Sequence, residues 1–367
     1  MQVPFLDLKA INDPLRHDLE KVYQQVLDES DFIFGKQVQA FESAFALKTD
    51  VSHCVALGNC TDALYITLKM LGIEPGDEVI VPAMTWISDA AVVSQLGAIP
   101  VFVDVDDQGL LNIDLLEDRL TQKTKAIIPV HLYGQMVNMK RLMSLADEYK
   151  LKVVEDCAQS HFACLDGKPA GSFGHAAVFS FYPTKNMGAL GDAGCMVTSN
   201  EQLALACRKY ANHGGLEKDS HEFVGVNSRM DTLQAGILLL KLDHIDNWSE
   251  ERRQLASNYH MQLAKLEDLF LPKNDGGSAH VFHIYAICTE GRDQLKTYLS
   301  ARGIQTQIHY PKALPFTSAY NHLNFQTKDF PIAYQLQEES LSLPIYPGLT
   351  DEKQAHIIAS IQGFFKG

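Results

Sequence analysis

Leu151-Lys-Val-Val-Glu-Asp-Cys-Ala-Gln-Ser-His161 reads as a buried strand, with Val153 and Val154 at its centre and an acidic pair, Glu155 and Asp156, at its end. Short apolar runs at 100–105 and 125–131 precede it, and helical patterns near 114–120 and 139–149 alternate with them. Strands that alternate with helices in this rhythm predict an α/β fold, with a mostly parallel sheet flanked by helices on both faces. In an open sheet of that kind, ligands bind at the carboxyl ends of the strands. Asp156 therefore stands where a cofactor would sit, and His131-Leu-Tyr-Gly134 marks a second strand end on the same side.

Further along, an apolar strand at 176–181 runs into a proline-containing turn within Phe179-Ser-Phe-Tyr-Pro-Thr-Lys-Asn-Met-Gly-Ala-Leu-Gly-Asp-Ala-Gly194. The turn presents one lysine, Lys185. Glycines at 188, 191 and 194 leave a backbone with little bulk, which predicts close approach by something large and flat. A lysine that does chemistry needs a depressed pKa or a covalent carbonyl partner, and both require a walled site. Lys185 from one strand end and Asp156 from another form the pair that pyridoxal phosphate requires. The lysine carries the aldehyde, and the carboxylate keeps the pyridine nitrogen protonated so that the ring can draw in electrons. A plain structural ion pair is the blander reading of the same two residues.

Residues 155–161, Gly171-Ser172 and 179–194 resemble the sugar aminotransferases of the DegT/DnrJ/EryC1/StrS family. The likeness extends from Pro4-Phe-Leu-Asp-Leu8 to Ser342-Leu-Pro-Ile-Tyr-Pro-Gly-Leu-Thr350. It implies the type I aspartate-aminotransferase fold, with a mixed, mostly parallel sheet and a smaller α+β C-terminal domain. It also implies pyridoxal 5'-phosphate as cofactor, and transfer of an amino group from an amino acid, glutamate first among them, to the keto group of a nucleotide-linked sugar. The setting it implies is deoxysugar biosynthesis, including sugars of lipopolysaccharide O-antigen.

Carried over residue by residue, the resemblance makes Lys185 the covalent anchor and general acid/base and puts Asp156 at the ring nitrogen. Gln159 falls near the ring hydroxyl, Trp86 on the ring face, and Cys60, Thr61 and Ser180 at the phosphate. Most relatives have glycine where Cys60 stands. Asn227 matches a residue that reaches the cofactor phosphate of a partner subunit, which implies a homodimer with shared active sites. Tyr182 and His309, the latter in Ile308-His-Tyr-Pro311, fall on the substrate side. The wording of the lysine loop resembles the branch that aminates C3 of a dTDP-linked 3-keto-6-deoxyhexose. The 4-keto branch tends to carry histidine at position 182 and Glu-Gly-Gly near 191–193. A 4-keto sugar nucleotide is therefore the alternative substrate, and a non-catalytic sugar-binding or regulatory relative the alternative function. The family's sugar dehydratases carry histidine at the lysine position, so Lys185 favours transamination.

Composition fits this reading. A chain of 367 residues, 46% hydrophobic, can bury a sizeable core and is expected to split in two. The predicted units are a large cofactor-binding domain with an N-terminal arm, 1–245, and a small domain, 246–367. A formal charge of -14 argues against a nucleic-acid surface. An anionic nucleotide-sugar must then be attracted locally, by a few cations and backbone amides. Seven cysteines form no C-x-x-C pair and read as reduced thiols in a cytoplasmic protein. Fourteen histidines show no H-E-x-x-H spacing, so no metal is expected. No uncharged apolar run approaches membrane-spanning length, and no G-x-G-x-x-G or G-x-x-x-x-G-K-[ST] motif supports a nicotinamide dehydrogenase or a P-loop enzyme.

The remaining chain supplies the frame. Leu15, Leu19, Val22 and Val26 give a helix at 14–29 one apolar stripe, and Val38, Phe41 and Phe45 mark a second helix. A strand at 53–57 leads through Gly58-Asn-Cys-Thr-Asp62 into a helix bearing Leu64, Leu68 and Leu71. That arrangement makes an anion site or simply a capped helix. A strand at 77–82 is followed by a helix starting at Ala83-Met-Thr-Trp86, and another strand is expected at 194–198. A polar loop at 212–227, with charges at 217–222, precedes a long connecting helix after Asp231. The small domain is expected to hold strands at 280–287 and 305–310 and helices at 293–302 and 351–365.

Overall fold

A computed structural model of the chain describes residues 1–217, 219–274 and 279–366. Lys218, within the charged run of the polar loop, lies outside the described residues. The N-terminal arm carries α1 (Leu8–Asn12), α2 (Arg16–Glu29) and α3 (Lys36–Lys48). Leu15 and Val26 of the expected stripe are buried, and Leu19 and Val22 are half-buried.

The chain then runs through β1 (His53–Leu57), α4 (Cys60–Met70), β2 (Glu78–Pro82), α5 (Ser88–Gln95), β3 (Ile99–Val103), β4 (Thr124–Ile127), α6 (Met139–Tyr149) and β5 (Lys152–Asp156). A two-residue hairpin, β6 (Cys164–Leu165) and β7 (Lys168–Pro169), leads to β8 (Ala176–Ser180), β9 (Gly194–Thr198) and α7 (Glu201–Ala211). The main sheet has seven strands in the order β1-β9-β8-β5-β4-β2-β3. Pairing is parallel from β8 through β3, and β9 runs antiparallel to both its neighbours. Reversing β9 alone has a useful result: Leu57, Gly194 and Ser180 lie side by side, so the start of β9 joins the carboxyl ends of β1 and β8 at one edge. All five residues of both β8 and β9 are buried, as expected of strands covered on both faces.

After the sheet come α8 (Thr232–Leu242) and α9 (Ile245–Leu263), then β10 (Tyr285–Cys288), α10 (Arg292–Ser300), α11 (Pro331–Glu339), β11 (Ser340–Leu343) and α12 (Asp351–Lys366). Strands β10 and β11 pair antiparallel. Around them α9, α10 and α12 gather a second apolar core that includes Tyr259, Leu295, Leu299, Ile357 and Ile361, joined by Val3 from the N-terminus. Among the described residues no helix is long and apolar enough to cross a membrane.

Several expected elements differ, each for a local reason. The helix near 114–120 is two 3-10 turns, Ile113–Leu115 and Glu117–Arg119. They bury only Ile113 and Leu116, too little to sustain an α-helix. The helix expected from Ala83 starts at Ser88, because the Ala83 amide still bonds the Val103 carbonyl (2.8 Å) and prolongs the β2 ladder. The strand expected to reach His131 stops at Ile127, two residues before Pro129, which has no amide to give. The single connecting helix is two, α8 and α9, broken at 243–244. The strand at 280–287 starts at Tyr285, because residues 281 and 284 bond instead to the carbonyls of Gly134 and Tyr133. The strand at 305–310 is a single bridge, Gln307 to Ser342, beyond which the chain turns away toward the sheet edge.

One buried carboxylate fastens the edge. Glu155, fully buried on β5, accepts from the amides of Gly171 (3.0 Å), Phe173 (2.9 Å) and Gly174 (2.7 Å). His131 Nε2 lies 3.0 Å from its Oε2, while the Val137 amide donates to Nδ1 at 3.1 Å. Nδ1 is thus the acceptor nitrogen, and Nε2–H donates to Glu155. His131, Glu155 and Cys157 lie close enough to resemble a metal cluster, but these hydrogen bonds already occupy the imidazole and the carboxylate. Glu155→Ala leaves three amides and an imidazole unpaired in a dry site. It should cost at least about 3 kcal/mol of stability by urea titration.

Candidate active site

At the sheet edge, β1 turns through Gly58 into α4. Asn59 caps the helix, its Oδ1 accepting from the Asp62 amide at 2.8 Å, and the Ala63 amide makes the first helical bond to the Asn59 carbonyl. The amides of Cys60 and Thr61 precede that first bond, and the helix dipole is positive there. Around this end stand three hydroxyls: Thr61 and Ser88, 2.8 Å apart, and Ser180 at the end of β8. The set is an anion cradle.

Gly194 decides how closely it is built. A Cβ at 194 would lie 2.4 Å from the Asn59 carbonyl carbon and 2.5 Å from the Cys60 nitrogen. At 188 it would lie 2.3 Å from the Pro183 carbonyl oxygen. The glycines of this stretch therefore do not open the backbone to a flat ligand, as the sequence suggested. At 188 and 194 they let backbone pack on backbone, and at 191 the nearest neighbour is the flexible end of Gln234.

The loop that presents Lys185 is closed at its base by Phe181 N to Ala193 O (2.9 Å) and Ala189 N to Phe181 O (2.8 Å). From behind, the buried amine of Lys241 on α8 donates to the Gly188 carbonyl at 2.7 Å. Burial lowers the Lys241 pKa to about 8. Lys185 is half-buried, and enclosure lowers its pKa, opposed chiefly by the charge of Asp156. Asp156 is 8% exposed, and its Oδ1 accepts from the Ala158 amide at 2.8 Å. Gln159 lies in a turn, not a helix. Its Oε1 accepts from the Tyr133 amide (2.6 Å) and its Nε2 donates to the Tyr310 hydroxyl (2.9 Å).

These groups line one cleft of about 570 Å³. It brings together Cys60, Thr61, Trp86, Asp156, Gln159, Ser180, Tyr182, Lys185 and His309. Trp86 and Tyr182 are 57% and 53% exposed, large aromatics at the mouth. The Trp86 ring lies 5.6 Å from that of Tyr310. His309 Nδ1 is 2.9 Å from Ser342 Oγ, and Tyr133 hydrogen-bonds the His309 carbonyl. Asn227 is exposed, bridges to Asn212, and does not line this cleft of its own chain. Sequence reasoning missed Thr85, Ser88, Thr184, Asp192, His283 and Tyr310, which also line it. Tyr310 was within reach, being the neighbour of His309 in a motif already singled out. Thr85, Thr184 and Asp192 likewise stand in stretches already quoted, whereas Ser88 and His283 carry no local signal, and His283 is positioned by Asn186 Oδ1 at 3.0 Å, 97 residues away in sequence.

The site residues suit a phosphorylated aldehyde. The cradle offers amides and hydroxyls to an anion, and Lys185 and Asp156 line the same cleft. A family model described as the DegT/DnrJ/EryC1/StrS aminotransferase family matches residues 14–362. The chain belongs to that family. It is a pyridoxal 5'-phosphate-dependent sugar-nucleotide aminotransferase. It is 40% identical over 362 residues to dTDP-3-amino-3,4,6-trideoxy-alpha-D-glucose transaminase of Streptomyces venezuelae, covering 98% of this chain and 96% of that one. It is 41% identical over 366 residues to a UDP-N-acetyl-3-dehydro-alpha-D-glucosamine 3-aminotransferase of Acidithiobacillus ferrooxidans, covering 100% and 98%. The crystal structure of S. venezuelae DesV with a ketimine intermediate superposes with a TM-score of 0.97 at 39% identity, covering 100% and 99%.

Histidines buried near this edge are kept neutral. Burial lowers His161 and His280 from the ordinary 6.5 to about 3, and His309 to about 4. The unfolded chain takes up protons below 6.5 that the folded chain refuses, so their contribution is complete above 6.5 and is lost as pH falls toward 4 and 3. Each such group costs about 1.4 kcal/mol per pH unit within that window. Urea midpoints should therefore drop steeply below pH 6.5, and His161→Phe should flatten the slope.

Proposed function

We propose that the enzyme moves an amino group, from glutamate, to C3 of a 3-keto-6-deoxyhexose carried on a nucleoside diphosphate, with dTDP as the carrier. The observation that carries the chemistry is one cleft that gathers the enclosed amine of Lys185, the carboxylate of Asp156 and a helix-terminal anion cradle. The choice of C3 is supported by relatives at about 40% identity whose names place the amino group there, and by tyrosine at position 182.

In this reading Lys185 holds the cofactor aldehyde, yields it to the incoming amine, and then moves a proton at the substrate carbon. Asp156 sets a negative charge against the ring nitrogen. When bound, the cofactor supplies the electron sink that makes loss of that proton feasible. The amides of Cys60 and Thr61, with the hydroxyls of Ser180, Thr61 and Ser88, take the phosphate. Trp86 covers the ring from the mouth of the cleft, and Gln159 has one amide proton left for the ring hydroxyl. Tyr182 and His309 orient the sugar. Selectivity is positional, because turning the sugar by one ring atom forfeits the orientation on which transfer depends.

We further propose that a second copy completes the site. Phe32, Phe34, Leu190 and Val224 are 50–91% exposed, and backbone bonds tie the first of these to the segment that follows Asn227. Large apolar side chains left this exposed are what a covering partner surface would bury. The partner's Asn227 then reaches the cofactor phosphate.

Lys185→Ala should abolish turnover, a loss of at least several thousandfold, while leaving the fold intact by circular dichroism. Mixing Lys185→Ala with Asn227→Ala subunits should restore activity that neither homodimer has, because one site in the mixed dimer is intact. A fully active monomer in sedimentation would remove the shared-site reading. Assay against paired 3-keto and 4-keto sugar nucleotides decides the position: faster turnover of the 4-keto isomer overturns C3 and leaves the aminotransferase standing.

A further inference from the structure

Beneath the cleft lies a second carboxyl that the assignments above do not use. Asp89 stands in the first turn of α5, 0% exposed. Its Oδ2 accepts from Thr85 Oγ1 at 2.6 Å. Its Oδ1 is buried and receives no donor hydrogen. The group within hydrogen-bonding reach is the carboxyl of Asp156, on β5. Two ionised carboxylates only accept, so the contact is repulsive unless a proton lies between them. Removed from water, such a pair cannot keep both charges and titrates as a unit.

We propose that Asp89 holds that proton and Asp156 the charge, so that Asp89 donates a hydrogen bond which fixes the orientation of the Asp156 carboxylate toward the cofactor ring nitrogen. Asp89 is a positioning residue in this scheme. The inference rests on the role given to Asp156 above.

The surroundings favour this placement of the proton. Asp156 borders the cleft, has the Ala158 amide as a donor, and is the leading attractive charge for the Lys185 ammonium. Asp89 lies deeper, and among the described residues the donor its side chain has is a neutral hydroxyl. The other ionisable groups that bear on it are Lys185 from the loop after β8, Cys60 from α4 and Tyr310 from the segment after the Gln307–Ser342 bridge. Burial first, then the charge of Asp156, pushes the Asp89 acid well above its ordinary 3.8. The paired arrangement also limits the charge at this end of the cleft to one, which a single ring N–H can match.

The test separates a donor from a filler. Asparagine at 89 can accept from Thr85 and donate to Asp156, as a neutral acid does, whereas alanine can do neither. Asp89→Asn should keep cofactor affinity within about twofold of wild type, with an unchanged pH midpoint for the visible absorption of the lysine-bound cofactor. Asp89→Ala should weaken cofactor binding about tenfold, the loss expected for a hydrogen bond to a charged group, and shift that midpoint. Independently of loading, the infrared difference between wild-type and Asp89→Asn apoprotein at neutral pH should contain the carbonyl stretch of a protonated acid. Absence of that band overturns the proposal, as does an Asp89→Asn variant as impaired as Asp89→Ala. The band decides the matter on its own should the alanine variant not fold. If Asp156→Asn leaves the cofactor titration unchanged, the role of Asp156 fails, and the infrared band still reports whether the pair shares a proton.

Discussion

Two neighbouring carboxylates on β5 organise the molecule. Side chains alternate across a strand, so Glu155 and Asp156 serve different neighbourhoods from one backbone. Glu155 collects three amides and an imidazole and ties the turn between β7 and β8 to the turn after β4. Asp156 is thereby held at a fixed height at the sheet edge, where its backbone bonds on both sides to residues 129 and 131. The structural carboxylate makes the chemical one immobile. Preorganisation of this kind matters because a functional group held loosely forfeits most of its effect.

Electrostatics are local. A chain with a formal charge of -14 offers no long-range attraction to a nucleotide-sugar, yet the cleft pairs an enclosed ammonium with a helix N-terminus. Both are short-range and directional, and neither is visible in the net charge. The charge of Asp156, the leading group that opposes the effect of burial on the ammonium, holds it in balance within an enclosure that would otherwise favour the neutral amine.

Strands β1, β5, β8 and β9 were legible in the sequence to within a residue or two at their functional ends, because a buried strand that ends in a polar or glycine residue is a strong local pattern. Helices α3, α6 and α12 were equally plain from their apolar spacing. The misread segments share a cause. At 114–120 and 305–310 local propensity is moderate and the surroundings decide: the first segment buries too little to sustain a helix, and the chain at 307 makes one bridge and then leaves to deliver Tyr310 to the cleft. The site was legible where chemistry and motif coincide, at Lys185 and Asp156, and illegible where a residue acts through another. Asp89 looks like an ordinary helix-start aspartate until the fold sets it beneath Asp156. The glycines at 188 and 194 were noticed for the right property and the wrong beneficiary, since their missing side chains admit the protein's own backbone.

The contact between Lys241 and the Gly188 carbonyl bears on alkaline conditions. An amine keeps N–H bonds to donate after it loses its charge, so raising the pH past about 8 weakens this bond without removing it. The same contact joins α8, which follows directly from the segment 227–231 with its exposed Asn227 and Asp231, to the loop that carries Lys185. Strain applied to that outer surface therefore has a short, solid route to the reactive amine: one helix, one side chain, one carbonyl. The lysine loop behaves as an extension of α8 and not as a free connection.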